Sequence, residues 1–401
     1  MLHKYTFRKQ VLLLFLLFFS STVIAQITYI PDPNFEQALI DLGIDSDGVI
    51  NGQVLTADID TVKVLNLRYK NISDLTGIED FAALEDLNIR GNNISTLDTS
   101  GNPHLKNLIC KVNPLESLNI TQNQQLEVLD LTVVHRLDSV DLSGNINLET
   151  LILDDCWIHE LDISNNINLK RLEASGSSFT EIDLSNNSDL EYLDVFGVHL
   201  EEIDVSNNIK LKEFYCGNFD GDMGQIISEI DISNNVNLEM FYAENLFLIK
   251  HFNAKNGNNS ILQVTLDCFF ENNPCELSRL NCIQVDDAEA ANNGEFPYNT
   301  WFVNADFYYS EDCTLGISTP KENGFMLSEN PVQQNLIFTA PGFSGKVNLE
   351  IYSVNGKLLK NQSLHFDNQF SIDVSQLAAG VYVLKIIDDT YGVTTKRFIK
   401  K

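Results

Sequence analysis

The sequence predicts a mainly β protein: a solenoid of stacked 21-residue coils with short parallel strands, capped at both ends and followed by a small β-sandwich. Three observations carry that expectation. One phrase recurs nearly unchanged, as "LDISNNINL" from 161, "IDLSNNSDL" from 182 and "IDVSNNIKL" from 203. Apolar residues recur with it: Leu142, Ile163, Leu184 and Val205 stand 21 residues apart, and Leu153, Ala174 and Val195 form a second series between them at the same spacing. Late in the chain that period gives way to strand-like alternation, with Val347, Leu349 and Ile351 set among polar neighbours.

Residues 1–25 combine a basic start (Lys4, Arg8, Lys9), an apolar run, and compact residues at Val23 and Ala25. This is the pattern of a secretory signal peptide cleaved after Ala25. No cysteine follows the run, so a lipoprotein anchor is not indicated. No other stretch approaches the roughly 20 apolar residues of a transmembrane helix. The net charge of −30 becomes −30 − 3 = −33 without the three basic residues of the leader, which argues against nucleic-acid binding, because phosphate recognition needs a basic footprint. Residues 321–401 hold nine Lys/Arg against seven Asp/Glu, so the acidity lies in the middle of the chain.

Residues 26–64 read as an N-terminal cap. Phe35, Leu39, Ile40 and Leu42 fit one helix face that would cover the open end of the first coil. The "DSDG" that follows has Gly43 and Val54 where an EF-hand needs its first and twelfth ligands, so it reads as a turn.

Residues 65–262 hold the repeat. One half of each unit reads like "HELDISNNINL" and the other like "EYLDVFGVHL"; both fit L-x-x-L-x-L-x-x-N/C-x-L. On these residues the chain resembles leucine-rich repeat proteins, in particular the short nested repeats of exported proteins of the Bacteroidota. Such coils cannot close a core alone, so they stack their leucines into one column. Asn102, Asn123, Asn145, Asn166, Asn187, Asn208 and Asn235 stand at a fixed place in the constant half and are expected to form a buried ladder, bonded to backbone groups of the neighbouring coil. Asp98, Asp141, Asp162, Asp183, Asp204 and Asp231 alternate with inward residues and should face solvent in a row. A calcium ladder there would need several convergent oxygens from a shaped loop, so no metal or other cofactor is expected, calcium being the one cation weighed.

The family resemblance implies that the variable half supplies a concave sheet whose outward residues meet ligand. On this chain those positions include Arg90, Lys111, Arg171, Tyr192, Phe196, Tyr215, Met240 and Tyr242. Exposed aromatics suit partner binding, and cross-strand stacking that merely stabilises the sheet is the competing account. Beside them the repeat is interrupted by "GNFDGDMGQIIS", expected to bulge as a loop in which Asp220 and Asp222 offer carboxylates.

Of seven cysteines, Cys110, Cys156 and Cys216 read as core, whereas Cys268, Cys275, Cys282 and Cys313 cluster late, where an exported protein forms disulfides. Four cysteines allow three pairings; proximity in sequence favours Cys268 with Cys275 and Cys282 with Cys313. Residues 263–313 then form a stapled C-terminal cap, and 314–325 a linker. In residues 326–401, "NPV", "IYSVNGKLL", "LAAGVYVLKI" and the basic ending resemble, in that order, the C-terminal sorting domain of type IX secretion, a small β-sandwich. The resemblance implies passage of the inner membrane by the leader and of the outer membrane by the sorting apparatus.

None of the seven histidines forms H-E-x-x-H, and neither G-x-S-x-G nor a phosphate loop is present, so no enzyme is expected. What remains is a secreted or cell-surface binding module for a protein or glycan, or, as the alternative, a structural component of the surface layer or matrix without a discrete ligand.

Overall fold

A computed structural model describes residues 26–219, 226–270, 273–274, 277–313, 326–327, 332–353, 357–388 and 392–401. The leader, the linker, Asp220, Asp222 and Cys275 lie outside the described residues. The chain divides into two compact units, 1–313 and 314–401.

In the first unit, Ile27–Tyr29 pairs antiparallel with Gln53–Leu55, and the helix Pro33–Asp41 lies between them in sequence. Asp32 starts that helix by accepting from the N–H groups of Asn34 and Phe35, while its other oxygen accepts from Ser73 (2.7 Å) and Asp74 (3.0 Å). One carboxylate therefore caps the helix and ties it to the first coil. Burial works to raise the Asp32 pKa, but the N–H donors of Ser73, Asn34, Asp74 and Phe35 outweigh it and hold the group below its ordinary value.

The buried helix face differs from the expected one. Phe35, Ala38 and Leu39 are buried, whereas Leu42, just past the last helical residue, is 47% exposed. Glu36 is fully buried and accepts from the backbone N–H groups of Asn51 (2.8 Å), Gly52 (2.9 Å) and Gln53 (3.3 Å). It clasps the loop that contains "DSDG". In that loop Asp45 accepts from Asp47 N–H and Asp47 from Val49 N–H, so the carboxylates close turns on themselves. Among the described residues, no group of three or more His, Cys, Asp or Glu is placed to hold a metal.

Among the described residues the stacked coils form one parallel sheet of eleven strands, from Val64–Asn66 to Phe302–Val303, in which each strand pairs with the next one of the same sheet. The register stacks Leu87, Leu108, Leu129, Leu151, Leu172, Leu193, Phe214 and Phe241 into one inward row. Each coil thus completes its core only through its neighbours. On the other side of each coil the backbone pairs more sparsely. Thr96–Asp98 joins Ser117–Asn119, and Glu229–Asp231, His251–Asn253, Cys282–Gln284 and Tyr308–Ser310 form a second parallel sheet.

The seven ladder asparagines have 0% exposure. Asn187, at mid-ladder, donates its amide to the carbonyls of Ile163 (3.2 Å) and Asn166 (2.9 Å), and Asn208 donates to Leu184 and Asn187 in turn. Asn256 extends the series by donating to Asn235. A second series occupies the equivalent place in the variable half with changing chemistry. Asn92 donates to Leu67 and Ile89, Asn113 to Ile89 and Cys110, the Cys156 thiol to Val134 and the Ser177 hydroxyl to Leu153.

The segment expected as the disulfide-stapled C-terminal cap carries strands of both sheets. Gln263–Asp267 and Phe302–Val303 join the main sheet, and Cys282–Gln284 and Tyr308–Ser310 join the second. Long insertions between these strands remove the 21-residue spacing but not the inward alternation of Val264 with Leu266. The end is closed by aromatics, with Tyr298 and Trp301 ring centroids 5.0 Å apart and the Trp301 indole donating to Leu262. Cys282 and Cys313 form a disulfide over a sequence separation of 31 residues, which by loop closure contributes about 3–4 kcal/mol. Cys268 is also disulfide-bonded.

In the second unit, Asn335–Ser353 pairs antiparallel with both Leu358–Asp373 and Gly380–Asp388, and the latter pairs with Gly392–Lys400. A register break between Thr339 and Ser344 interrupts the longest strand. Leu336, Phe338, Val347, Leu349, Ile351, Leu384, Ile386 and Phe398 share one buried core. No helix among the described residues is long and apolar enough to cross a membrane.

Candidate binding face

In a strand successive side chains alternate, so each central leucine of the main sheet leaves its two flanking residues pointing outward. Parallel pairing in register turns those flanks into rows. Arg171, Tyr192, Glu213 and Met240 form one row, and Glu173, Asp194, Tyr215 and Tyr242 the next. The pairing register thereby brings five of the expected contact residues, Arg171, Tyr192, Phe196, Tyr215 and Tyr242, to one continuous patch.

Within the patch the Tyr192 and Tyr215 centroids are 5.5 Å apart, and those of Tyr215 and Tyr242 are 6.0 Å apart. Phe196 lies 6.4 Å from Tyr242 and 5.1 Å from Phe219. Phe219 belongs to the site although its position in the repeat does not mark it, since it lies past the strand Glu213–Gly217. The signal was in the glycines: a Cβ at Gly197 would stand 2.2 Å from the Phe219 ring, and Gly197 has a φ of +70°. Only glycine leaves room for that ring, which is itself 47% exposed.

Met240 stands in the first row beside Glu213. Arg90 and Lys111 lie apart from the patch. Lys111 pairs with Asp130 at 3.0 Å, and Arg90 stacks over Tyr69 at 5.5 Å. Three strand spacings, about 14 Å, separate Lys111 from Arg171.

Carboxylates surround the rings. The Tyr215 hydroxyl donates to Glu213 (2.8 Å) and the Tyr242 hydroxyl to Glu244. Burial and the neighbouring Glu213 push the Tyr215 phenol up to about 12. The Asp194 carboxyl is pushed up to about 6, chiefly by burial and then by the charges of Asp154 and Glu173, against the Phe196 N–H and Arg171, which favour its ionised form. Burial likewise raises Asp154.

A folded-state pKa above the unfolded value means that the fold disfavours ionisation. The penalty is absent below pH ~4, grows as pH rises towards about 6, and is constant beyond it. Asp194→Asn is therefore expected to stabilise the protein at pH 7.5 by on the order of 2–3 kcal/mol and to leave it unchanged at pH 3.5. Urea midpoints at the two pH values test this; an equal effect at both refutes it.

The reverse side is different. Asp141, Asp162 and Asp183 are exposed, each held below its ordinary pKa by the hydroxyl and N–H of the serine two residues on. Glu160, Asp162, Glu181, Asp183, Glu201 and Glu202 line an open groove of about 1110 Å³. The three buried thiols offer no nucleophile: burial raises all three, Cys156 to about 11 and Cys110 and Cys216 further.

Similar solved structures include the functional domain of InlJ from Listeria monocytogenes, with 16% identity over 94% of this chain and 99% of that one and a TM-score of 0.45. The internalin InlF from the same organism shares 18% identity over 73% of this chain and 96% of its own, with a TM-score of 0.48. The leucine-rich repeat ectodomain of the plant receptor kinase GASSHO1 from Arabidopsis thaliana shares 14% over 64% of this chain and 43% of its own, with a TM-score of 0.39. None of the curated proteins compared with the chain matches it. Residues 330–401 match the family described as the secretion system C-terminal sorting domain. A type IX tail of this kind marks secreted and cell-surface proteins, so the solenoid is exported to the cell surface or beyond it.

Proposed function

We propose that the solenoid is a non-enzymatic recognition module which holds a protein or glycan ligand against the outward face of its main sheet, outside the cell. The observation that carries this reading is the contiguous patch of Tyr192, Phe196, Tyr215, Phe219 and Tyr242, linked by centroid distances between 5.1 and 6.4 Å. Aromatic rings offer large contact area with few rotors, and a rigid sheet holds them at little entropic cost. The variable halves supply Tyr192, Phe196, Tyr215 and Tyr242 and the insertion supplies Phe219, while the asparagine ladder keeps the scaffold.

The experiment replaces Tyr192, Tyr215 and Tyr242 together by serine. Binding of ligands found on a glycan and protein array should then fall at least tenfold, with the circular dichroism spectrum retained. Unchanged binding refutes the assignment. A second reading, a structural element of the surface layer, draws on the tyrosine hydroxyls being engaged by Glu213 and Glu244 within the chain. It expects altered surface morphology on deletion and no ligand on the array.

A further inference from the structure

The patch already holds one cation, and it is the chain's own. The Arg171 guanidinium lies 3.5 Å from the centroid of the Tyr192 ring, and its Nε donates to Glu173 at 2.5 Å. An aromatic face and a carboxylate thus combine into a seat for a planar cation, the ring quadrupole acting on one side and a charge-assisted hydrogen bond on the other. One strand further along, the same ingredients recur. Asp194 shares its strand face with Tyr192, is followed by Phe196 in the turn beyond the strand, and faces Tyr215 across the parallel pair. It accepts from the Phe196 N–H at 2.9 Å and makes no ion pair among the described residues. Elsewhere on this unit carboxylates on neighbouring coils meet lysines in register, as in Glu149 with Lys170 and Glu191 with Lys212.

We propose that Asp194, walled by Tyr192, Phe196 and Tyr215, is the seat for a guanidinium or ammonium side chain of a protein partner. This rests on the proposed recognition role of the face and adds the chemistry of what is recognised. The cost of ionising Asp194 in the free protein supports it, since an incoming cation would relieve that cost. The charges acting on Asp194 are the carboxylates of Asp154 and Glu173, against the Arg171 guanidinium, so the local field favours a positive group. Arg171 shows that a guanidinium fits these surroundings sterically.

The test uses the full chain and immobilised decapeptides rich in arginine or lysine, with citrulline and acetyl-lysine counterparts of the same length. The arginine or lysine peptide should bind at least tenfold more tightly than its neutral counterpart, and Asp194→Asn should abolish that margin. Because a chain of net charge −30 attracts cations generally, the double variant Glu181→Gln/Asp183→Asn, on the reverse groove, serves as control and should keep at least half of the affinity. Equal binding of charged and neutral peptides, or an equal loss in the control, overturns the proposal. A neutral glycan whose binding is lost in the tyrosine triple variant but kept in Asp194→Asn would also overturn it, while leaving the recognition role intact. Should every bound ligand survive the tyrosine variant, the recognition role itself falls.

Discussion

Replacing Asn187 by aspartate is expected to destabilise the solenoid by about 3–5 kcal/mol at neutral pH. The native amide is fully buried and donates to the carbonyls of Ile163 and Asn166, on the preceding coil. An ionised carboxylate in that place would aim negative charge at two carbonyl oxygens and leave both without a donor. Protonation would relieve part of the cost, so the buried carboxyl should carry a raised pKa. Its penalty is then present above that value and shrinks as pH falls towards the ordinary ~4 of aspartate. Urea unfolding at pH 7.5 and pH 4.5 checks both parts. A midpoint at pH 7.5 within error of the unaltered chain refutes the ladder's energetic role, and a penalty independent of pH refutes the electrostatic account of it.

Glu36→Ala is expected to cost about 4 kcal/mol, because it strands the N–H donors of Asn51, Gly52 and Gln53, and a bond to a charged acceptor is worth about 1.5–3 kcal/mol. The loop they belong to leads into the strand Gln53–Leu55, so the effect should spread to its pairing with Ile27–Tyr29. Hydrogen exchange at Asn51, Gly52 and Gln53 should rise before the repeats respond. Glu36→Gln keeps the shape and one oxygen acceptor, and should cost less than half as much. A loss smaller than 1 kcal/mol in the alanine variant would show that water replaces the clasp without penalty.

Glu36 also shows where sequence reasoning stops. A glutamate in the first turn of an amphipathic helix reads as solvated, and only the returning loop makes it a buried acceptor. Leu42 errs in the opposite direction, apolar in pattern but exposed, because the helix ends one residue before it. Periodicity located the asparagines of the constant half, where the same side chain recurs. It did not reveal the second series, in which Asn92, Asn113, Cys156 and Ser177 make related bonds with different groups. The coils after residue 262 were hidden for another reason: insertions broke the spacing on which the repeat was recognised, while the inward alternation survived.

On the candidate face, the family resemblance implied that Tyr192, Tyr215 and Tyr242 lie on one side of neighbouring strands, and parallel pairing in register brings them there although an insertion breaks the 21-residue spacing between Tyr215 and Tyr242. The sequence could not tell that Arg90 and Lys111 would stand strands away with partners of their own, nor that Phe219 would reach back over Gly197. By itself the sequence determined the repeating coil, its buried amides, its acidic exterior and its sorting tail, because these follow from local pattern repeated many times. The tertiary structure alone decided which acids are buried, which cations are already partnered and which ring crosses from an insertion to the sheet. Those outcomes depend on distances between residues far apart in the chain, and a one-dimensional period does not encode them.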